Sequence, residues 1–149
     1  MIFLKKIYIS TKAEVQIISV MSDISIAIRE SEATDGLVTL WLPEFGAAVV
    51  AGANIEDFKS SLIDLIKRLP VQNPETLTKK KEKVELFPLL AQASFGSSMS
   101  LPFEAGKLIL PLEREIFVVD FENVSKRREV VIQIMSETPA KPQEEQEYY

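Results

Sequence analysis

Six side chains have the types needed to hold an anion or move a proton: Glu44, Ser97, Ser98, Arg114, Lys126 and Arg128. Glu44 stands just beyond an apolar run and Pro43, where a strand gives way to a loop, and a carboxylate placed there can serve as a base. Ser97 and Ser98 follow Gly96 at a helix-to-strand junction, where small hydroxyls and free backbone N–H groups can hold an oxyanion. Arg114, Lys126 and Arg128 are cations able to gather around a phosphate or carboxylate. Each also has a plainer role: an ion-paired loop carboxylate, ordinary turn chemistry, or a surface or subunit contact. A nucleophilic serine needs a base, yet the chain contains no histidine and no cysteine, and no Ser-x-x-Lys spacing occurs. Missing imidazole removes the commonest base and metal ligand near neutral pH. Missing thiolate removes the soft ligand and the sulfur nucleophile. No catalytic residue, metal or cofactor is assigned on these grounds.

Composition bounds the partners. The 149 residues are 46% hydrophobic and 26% charged, with a formal net charge of −5. Such a chain can build a real core, and the reading is one domain over 1–137 followed by a disordered acidic tail over 138–149. An acidic surface repels polyphosphate, so nucleic acid and anionic membrane are not expected partners. The Lys79–Lys83 run lacks interleaved aromatics and reads as a solvated loop. With five glycines in all, neither a phosphate-binding loop nor a dinucleotide fingerprint is found. No apolar stretch reaches the roughly 20 residues that span a bilayer. Lys5 and Lys6 interrupt the first apolar run, unlike a signal peptide, so a cytoplasmic protein is expected. Abundant isoleucine, scarce asparagine and absent Cys and His would suit a thermophile.

The candidate residues must be positioned by strands and helices, and the pattern supplies them. Ile2–Thr11 alternates and reads as a strand, with Val15–Ile18 a second, short one. Ser19 or Ser22 would cap a helix running to about Ala33, with Val20, Ile24, Ala27 and Ile28 on its buried face. Asp35-Gly36 signals a turn into Leu37–Leu42, a strand apolar on nearly every position and so expected to be buried on both faces, with Trp41 in the core. Gly46–Ala51 reads as the adjacent strand. Asn54 would cap a helix burying Phe58, Leu62, Leu65, Ile66 and Leu69. Residues 71–85 read as a long loop and Phe87–Phe95 as a short helix. Met99–Phe103, Leu108–Leu112, Glu115–Phe121 and Glu129–Met135 complete a strand meander. The fold class predicted is α+β, with largely antiparallel sheets and two main helices packed on them.

Taken together these segments resemble the YjbQ-like family, also called the secondary thiamine-phosphate synthase family. Lys6-Ile7-Tyr8-Ile9-Ser10-Thr11-Lys12 is similar to the family's first strand, and Asp35-Gly36-Leu37-Val38 to its "G-L-V". Gly96-Ser97-Ser98-Met99-Ser100-Leu101-Pro102-Phe103 and Gly106-Lys107-Leu108-Ile109-Leu110 resemble its "L-G-S-S-x-x-I-P-V…G-x-L-x-L". Ile116-Phe117-Val118-Val119-Asp120-Phe121 resembles "I-Y-L-x-E-F". The likeness runs from Lys6 to about Glu137.

The functional motifs depart from the pattern. Where the family reads "P-H-T-[ST]-A", this chain has Pro43-Glu44-Phe45-Gly46-Ala47. The family's "N-E" falls on Gly52 and Ala53. Its second histidine, in the loop after the long helix, has no counterpart in residues 71–86. "A-H-L-K-A" falls on Pro88-Leu89-Leu90-Ala91-Gln92, and "G-T-W-Q" on Pro111-Leu112-Glu113-Arg114. "P-R-x-R" is partly kept as Ser125-Lys126-Arg127-Arg128. Three converging imidazoles can bind a divalent metal or hold an anion, whereas one glutamate binds a metal weakly and repels phosphate. The resemblance therefore implies the fold and a homotrimer, or a mixed oligomer with an intact paralogue, serving as a scaffold or oligomerisation subunit without catalysis. The alternative is a histidine-free enzyme like a thiamine-phosphate synthase, with Glu44 as base, or a binder of a small phosphorylated anion.

Overall fold

A computed structural model describes residues 1–69, 75–77, 79–80 and 83–137, and its elements are antiparallel strands and helices in the α+β class. The expected tail over 138–149 lies outside the described residues. Five strands form one sheet in the order β1 (Ile2–Ser10), β10 (Arg127–Met135), β3 (Gly36–Trp41), β7 (Ser98–Glu104) and β8 (Lys107–Leu108). Three form a second sheet in the order β2 (Gln16–Ser19), β9 (Arg114–Asp120) and β4 (Ala47–Ala53). A hairpin of β5 (Glu75–Leu77) and β6 (Lys83–Glu85) replaces part of the loop expected over 71–85. Among the described residues no helix is long and apolar enough to cross a membrane.

Helix α1 (Met21–Ser31) buries Ile24, Ala27 and Ile28, and Val20 just ahead of it is fully enclosed, which is the face its spacing predicts. No side chain caps its start; Ser19 Oγ accepts only a long bond of 3.4 Å from the Met21 N–H. Its end is firmer. Glu32 turns left-handed and its N–H donates to the Arg29 carbonyl, while Ser31 Oγ donates to Ile28 O at 2.6 Å. Helix α2 (Glu56–Lys67) begins two residues after Asn54, with Ile55 in the cap position. It buries Ile66, half-buries Phe58 and Leu62, and leaves Leu65 and Leu69 exposed. Helix α3 (Leu86–Phe95) matches the short helix expected and adds a third to the two main helices anticipated.

Two cores result. The first lies between the inner face of the five-stranded sheet, α1 and one face of the three-stranded sheet, with Val38, Leu40, Val118, Val130, Ile132 and Ile134 among its members. The second lies under α2 and α3 on the other face of the three-stranded sheet, around Ala48, Ile66, Ala91, Val119 and Phe121. Phe95 stacks on Phe121 and Phe87 meets it edge-on.

Two strand expectations are corrected. The strand buried on both faces is β9, whose residues Ile116–Asp120 are all buried because the sheet carrying it lies between the two cores. Strand β3 buries Val38 and Leu40 but turns Leu37 and Trp41 outward, and Trp41 is 44% exposed instead of a core residue. Its apolar run reflects Leu37 and Trp41 on the outer sheet face, over which no described helix packs. Nor is β4 the neighbour of β3: it pairs with β9, while β3 pairs with β10 and β7.

Candidate functional site

Two connections that pass between the sheets, β3 to β4 through Leu42–Gly46 and β9 to β10 through Phe121–Lys126, lie at one end of the first core with the α3-to-β7 turn at Gly96 and Ser97. Strand parity decides what they carry. Arg128 shares the inward side of β10 with Val130, Ile132 and Ile134. Asp120 shares the side of β9 that bears Ile116 and Val118. The two therefore face each other across the gap between sheets. Arg128 Nε donates to Asp120 Oδ2 at 2.8 Å, and both side chains are fully buried.

The rest of the cluster grows from that pair. Arg128 Nη1 donates to the Phe45 carbonyl at 3.0 Å, and Nη2 lies 3.5 Å from Glu122 Oε1. Lys126 Nζ lies 3.1 Å from Glu122 Oε2 and 3.3 Å from Glu44 Oε2. Glu44 Oε1 accepts a bond from the Glu129 N–H at 3.3 Å. Gln92 on α3 holds the same loop from beneath, with Nε2 donating to the carbonyls of Glu44 and Ala47, each at 2.7 Å. Gly46 makes the packing possible. Its φ is +98°, and a Cβ there would run into the Glu122 side chain.

Three carboxylates thus enclose two cations. The Glu129 N–H is the largest influence on the Glu44 carboxyl and lowers its pKa; burial opposes it, and Lys126 and then Arg128 add to the lowering, so the net shift is downward. A base needs its pKa raised toward neutrality, and this one is moved away. An incoming phosphate would meet the partly exposed Glu44 carboxylate and a Lys126 ammonium already shared between Glu44 and Glu122. Arg128 Nη2 has no hydrogen-bond acceptor among the described residues, but it is sealed from solvent. Removing one partner of a buried pair costs about 3–5 kcal/mol because the other charge is left uncompensated. Arg128 therefore works as a brace between the sheets.

The remaining candidates stand apart. Arg114 begins β9, six residues from Asp120 and so roughly 20 Å along the strand. It is exposed there and pairs in register with Ala53. The expected gathering of Arg114 with Lys126 and Arg128 does not form. Ser97 lies at the same end as Glu44, its carbonyl accepting from the Leu42 N–H at 2.9 Å, and Ser98 pairs with Trp41. Among the described residues neither serine hydroxyl has a hydrogen-bond partner. Sequence reading missed Asp120, Glu122 and Gln92. The signal for the first was present: an acid at an inward position of an otherwise apolar strand, with an arginine at an inward position of the next.

The positions of the family's other motifs can be inspected as well. At Gly52, where the resemblance places a polar residue, a Cβ would collide with the edge of the Phe58 ring. Leu89, in the place of a histidine, is half-buried on α3. No three Asp or Glu side chains among the described residues are grouped to hold a metal ion. A divalent cation therefore does not fit this donor set: the carboxylates available are already matched to Lys126 and Arg128.

The sequence profile of the family described as UPF0047 protein YjbQ-like matches residues 5–137. None of the curated proteins matches the chain. Among solved structures, a YbjQ-like protein of unknown function from Sulfolobus solfataricus P2 is similar with a TM-score of 0.76 at 20% identity, over 92% of this chain and 99% of that one. A hypothetical protein from Aeropyrum pernix K1 gives 0.77 at 19% identity, over 91% and 99%. An uncharacterised conserved protein of the YjbQ/UPF0047 family from Clostridium acetobutylicum gives 0.76 at 17% identity, over 88% and 99%. At such identities the likeness is one of fold.

Proposed function

Because the chain belongs to the YjbQ-like UPF0047 family and yet contains no histidine, we propose that it is a non-catalytic member acting as a scaffold or oligomerisation subunit. One observation carries the reading. The two cations nearest the old histidine position, Lys126 and Arg128, are occupied by Glu44, Glu122 and Asp120. A site for a phosphorylated substrate needs its cations free and its base poised near neutral pH. Here the cations are neutralised, the carboxylate is held in its charged form, and the arginine is walled in. The natural assembly for such a subunit is a homotrimer or a mixed oligomer with a paralogue that keeps the histidines.

The rival is a histidine-free enzyme or a binder of small phosphorylated anions using the same end of the sheets. A thiamine-phosphate synthase assay, run beside a thermal-shift panel of phosphorylated metabolites, separates the two. The scaffold reading expects no turnover and no compound-specific shift. Turnover, or a saturable shift abolished by Lys126→Ala, would overturn it.

A further inference from the structure

Trp41 stands on the middle strand of the five-stranded sheet and on its outer side, 44% exposed. Val38 and Leu40 point inward from β3, which leaves Thr39 and Trp41 to solvent. Register supplies the neighbours of the indole on that face. Ser98 lies beside it on β7 and Val131 on β10. Two residues back along β3, Thr39 is flanked by Ser100 and Gln133. Apart from Val131, each of these carries a neutral hydrogen-bonding side chain. The Thr39 and Ser100 hydroxyls bond each other at 2.7 Å. Among the described residues neither the Ser98 hydroxyl nor the Gln133 amide has a partner.

We propose that this patch binds a neutral carbohydrate, with a pyranose ring laid on the Trp41 indole and its hydroxyls bonded to Ser98, Gln133 and the Thr39–Ser100 pair. The inference goes beyond the scaffold reading and does not depend on it. A pyranose has an apolar face of C–H bonds and a belt of hydroxyls that both donate and accept. Indole offers a broad apolar surface whose electron-rich face attracts C–H groups. Serine and threonine hydroxyls and a glutamine amide likewise donate and accept. Strands about 4.8 Å apart, with same-face residues about 6.7 Å apart along each, set these groups around the indole within reach of one sugar ring. Each sugar hydroxyl must regain the bonds it gives up to water, and this rim supplies them.

The surroundings select a neutral polyol over other ligands. The nearest charges are already matched: Lys6 and Glu129 lie 3.6 Å apart, and Arg127 sits over the Tyr8 ring at 4.3 Å. No basic patch is left for a phosphate on a chain of net charge −5. An apolar ligand has a better place elsewhere. The row of Ile2, Met135, Leu37 and Pro102 lies four residues along the strands from Trp41, with Gln133, Thr39 and Ser100 between. A peptide added as a strand would need a sheet edge. Edge strand β1 carries Lys5 held by Glu30 at 2.8 Å, and the other edge, β8, is two residues long. A shallow site of one indole and a few neutral groups binds weakly, with a Kd of about 1 mM, because water competes for every bond.

Trp41 is the chain's single tryptophan and therefore reports the site directly. The full-length protein is titrated with maltotriose, cellotriose and chitotriose, and binding is read from Trp41 emission and from NMR saturation transfer to the sugar protons. The proposal expects a saturable change with at least one of the three, half-complete at ~0.1–10 mM. Salt should not weaken it, since no ion pair is made. Trp41→Ala should weaken binding at least ~10-fold by saturation transfer, the scale of a lost aromatic anchor. Gln133→Ala should weaken it about fivefold, the loss of one hydrogen bond, and decides the matter if Trp41→Ala fails to fold. Leu112→Ser, at a position 92% exposed and off the face, should leave binding unchanged. No saturable change with any of the three sugars would overturn the proposal. Undiminished binding in Trp41→Ala or Gln133→Ala would overturn it too, as would an emission response to inorganic phosphate or 1-hexanol in place of the sugars.

Discussion

Glu44 is the residue on which the proposed absence of catalysis bears most directly. Its carboxylate accepts from the Glu129 N–H and lies beside Lys126, and both favour its charged form. A carboxyl whose folded pKa lies below its unfolded one contributes stability that is complete above the ordinary glutamate range. That contribution fades as the pH falls through the folded pKa. The side chain is 43% exposed, so solvent screening limits the pair to ~0.2–1 kcal/mol. Glu44→Gln should therefore lower the urea midpoint slightly at neutral pH, and the difference should vanish in acid, measured as midpoint against pH. A difference that grows in acid would reverse the sign argued here. Glu44 and Lys126 could be singled out in the sequence, because a charge beside an apolar run is conspicuous. Arg128 was visible as a cation but not as a brace. Its partner Asp120 looked like the end of a strand, and only the packing of two sheets turns both side chains into the same gap.

Helices and strands were legible to different degrees. The buried face of α1 followed from Val20, Ile24, Ala27 and Ile28, since a period of 3.6 leaves one reading. The two long apolar runs were ambiguous, because such a run marks a strand between two cores or one with an apolar outer face. β9 is the first kind and β3 the second. Sheet partners were illegible for β4, whose pairing with β9 is set across more than sixty residues of chain and by no local signal. Gly52 on β4 shows what that pairing protects. The Phe58 ring occupies the space a side chain would need, and Lys59 lies over Phe117 at 5.6 Å beside it. Gly52→Ala should cost about 1–3 kcal/mol in chemical denaturation, the range for overpacking. Adding Phe58→Leu should recover part of that loss. Independent, additive losses from the two substitutions would show that the ring is not the obstacle.

At the scale of the whole molecule, the α+β class and the family likeness came from segment order, while the proposed loss of catalysis rests on residue identities. The framework depends on apolar faces, which tolerate exchange at similar volume. The family pattern that the chain resembles carries histidines at its motifs, and this chain contains none. At the position of the first of them stands a set of ion pairs and hydrogen bonds that fastens the two sheet-to-sheet connections to each other and to Gln92 of α3. The measurement closest to this claim is zinc retained per chain after loading the purified protein and dialysing it exhaustively. The account predicts zinc far below stoichiometry and an unfolding temperature unmoved by the metal. One zinc held per chain, raising the unfolding temperature and lost on Glu44→Gln, would contradict it.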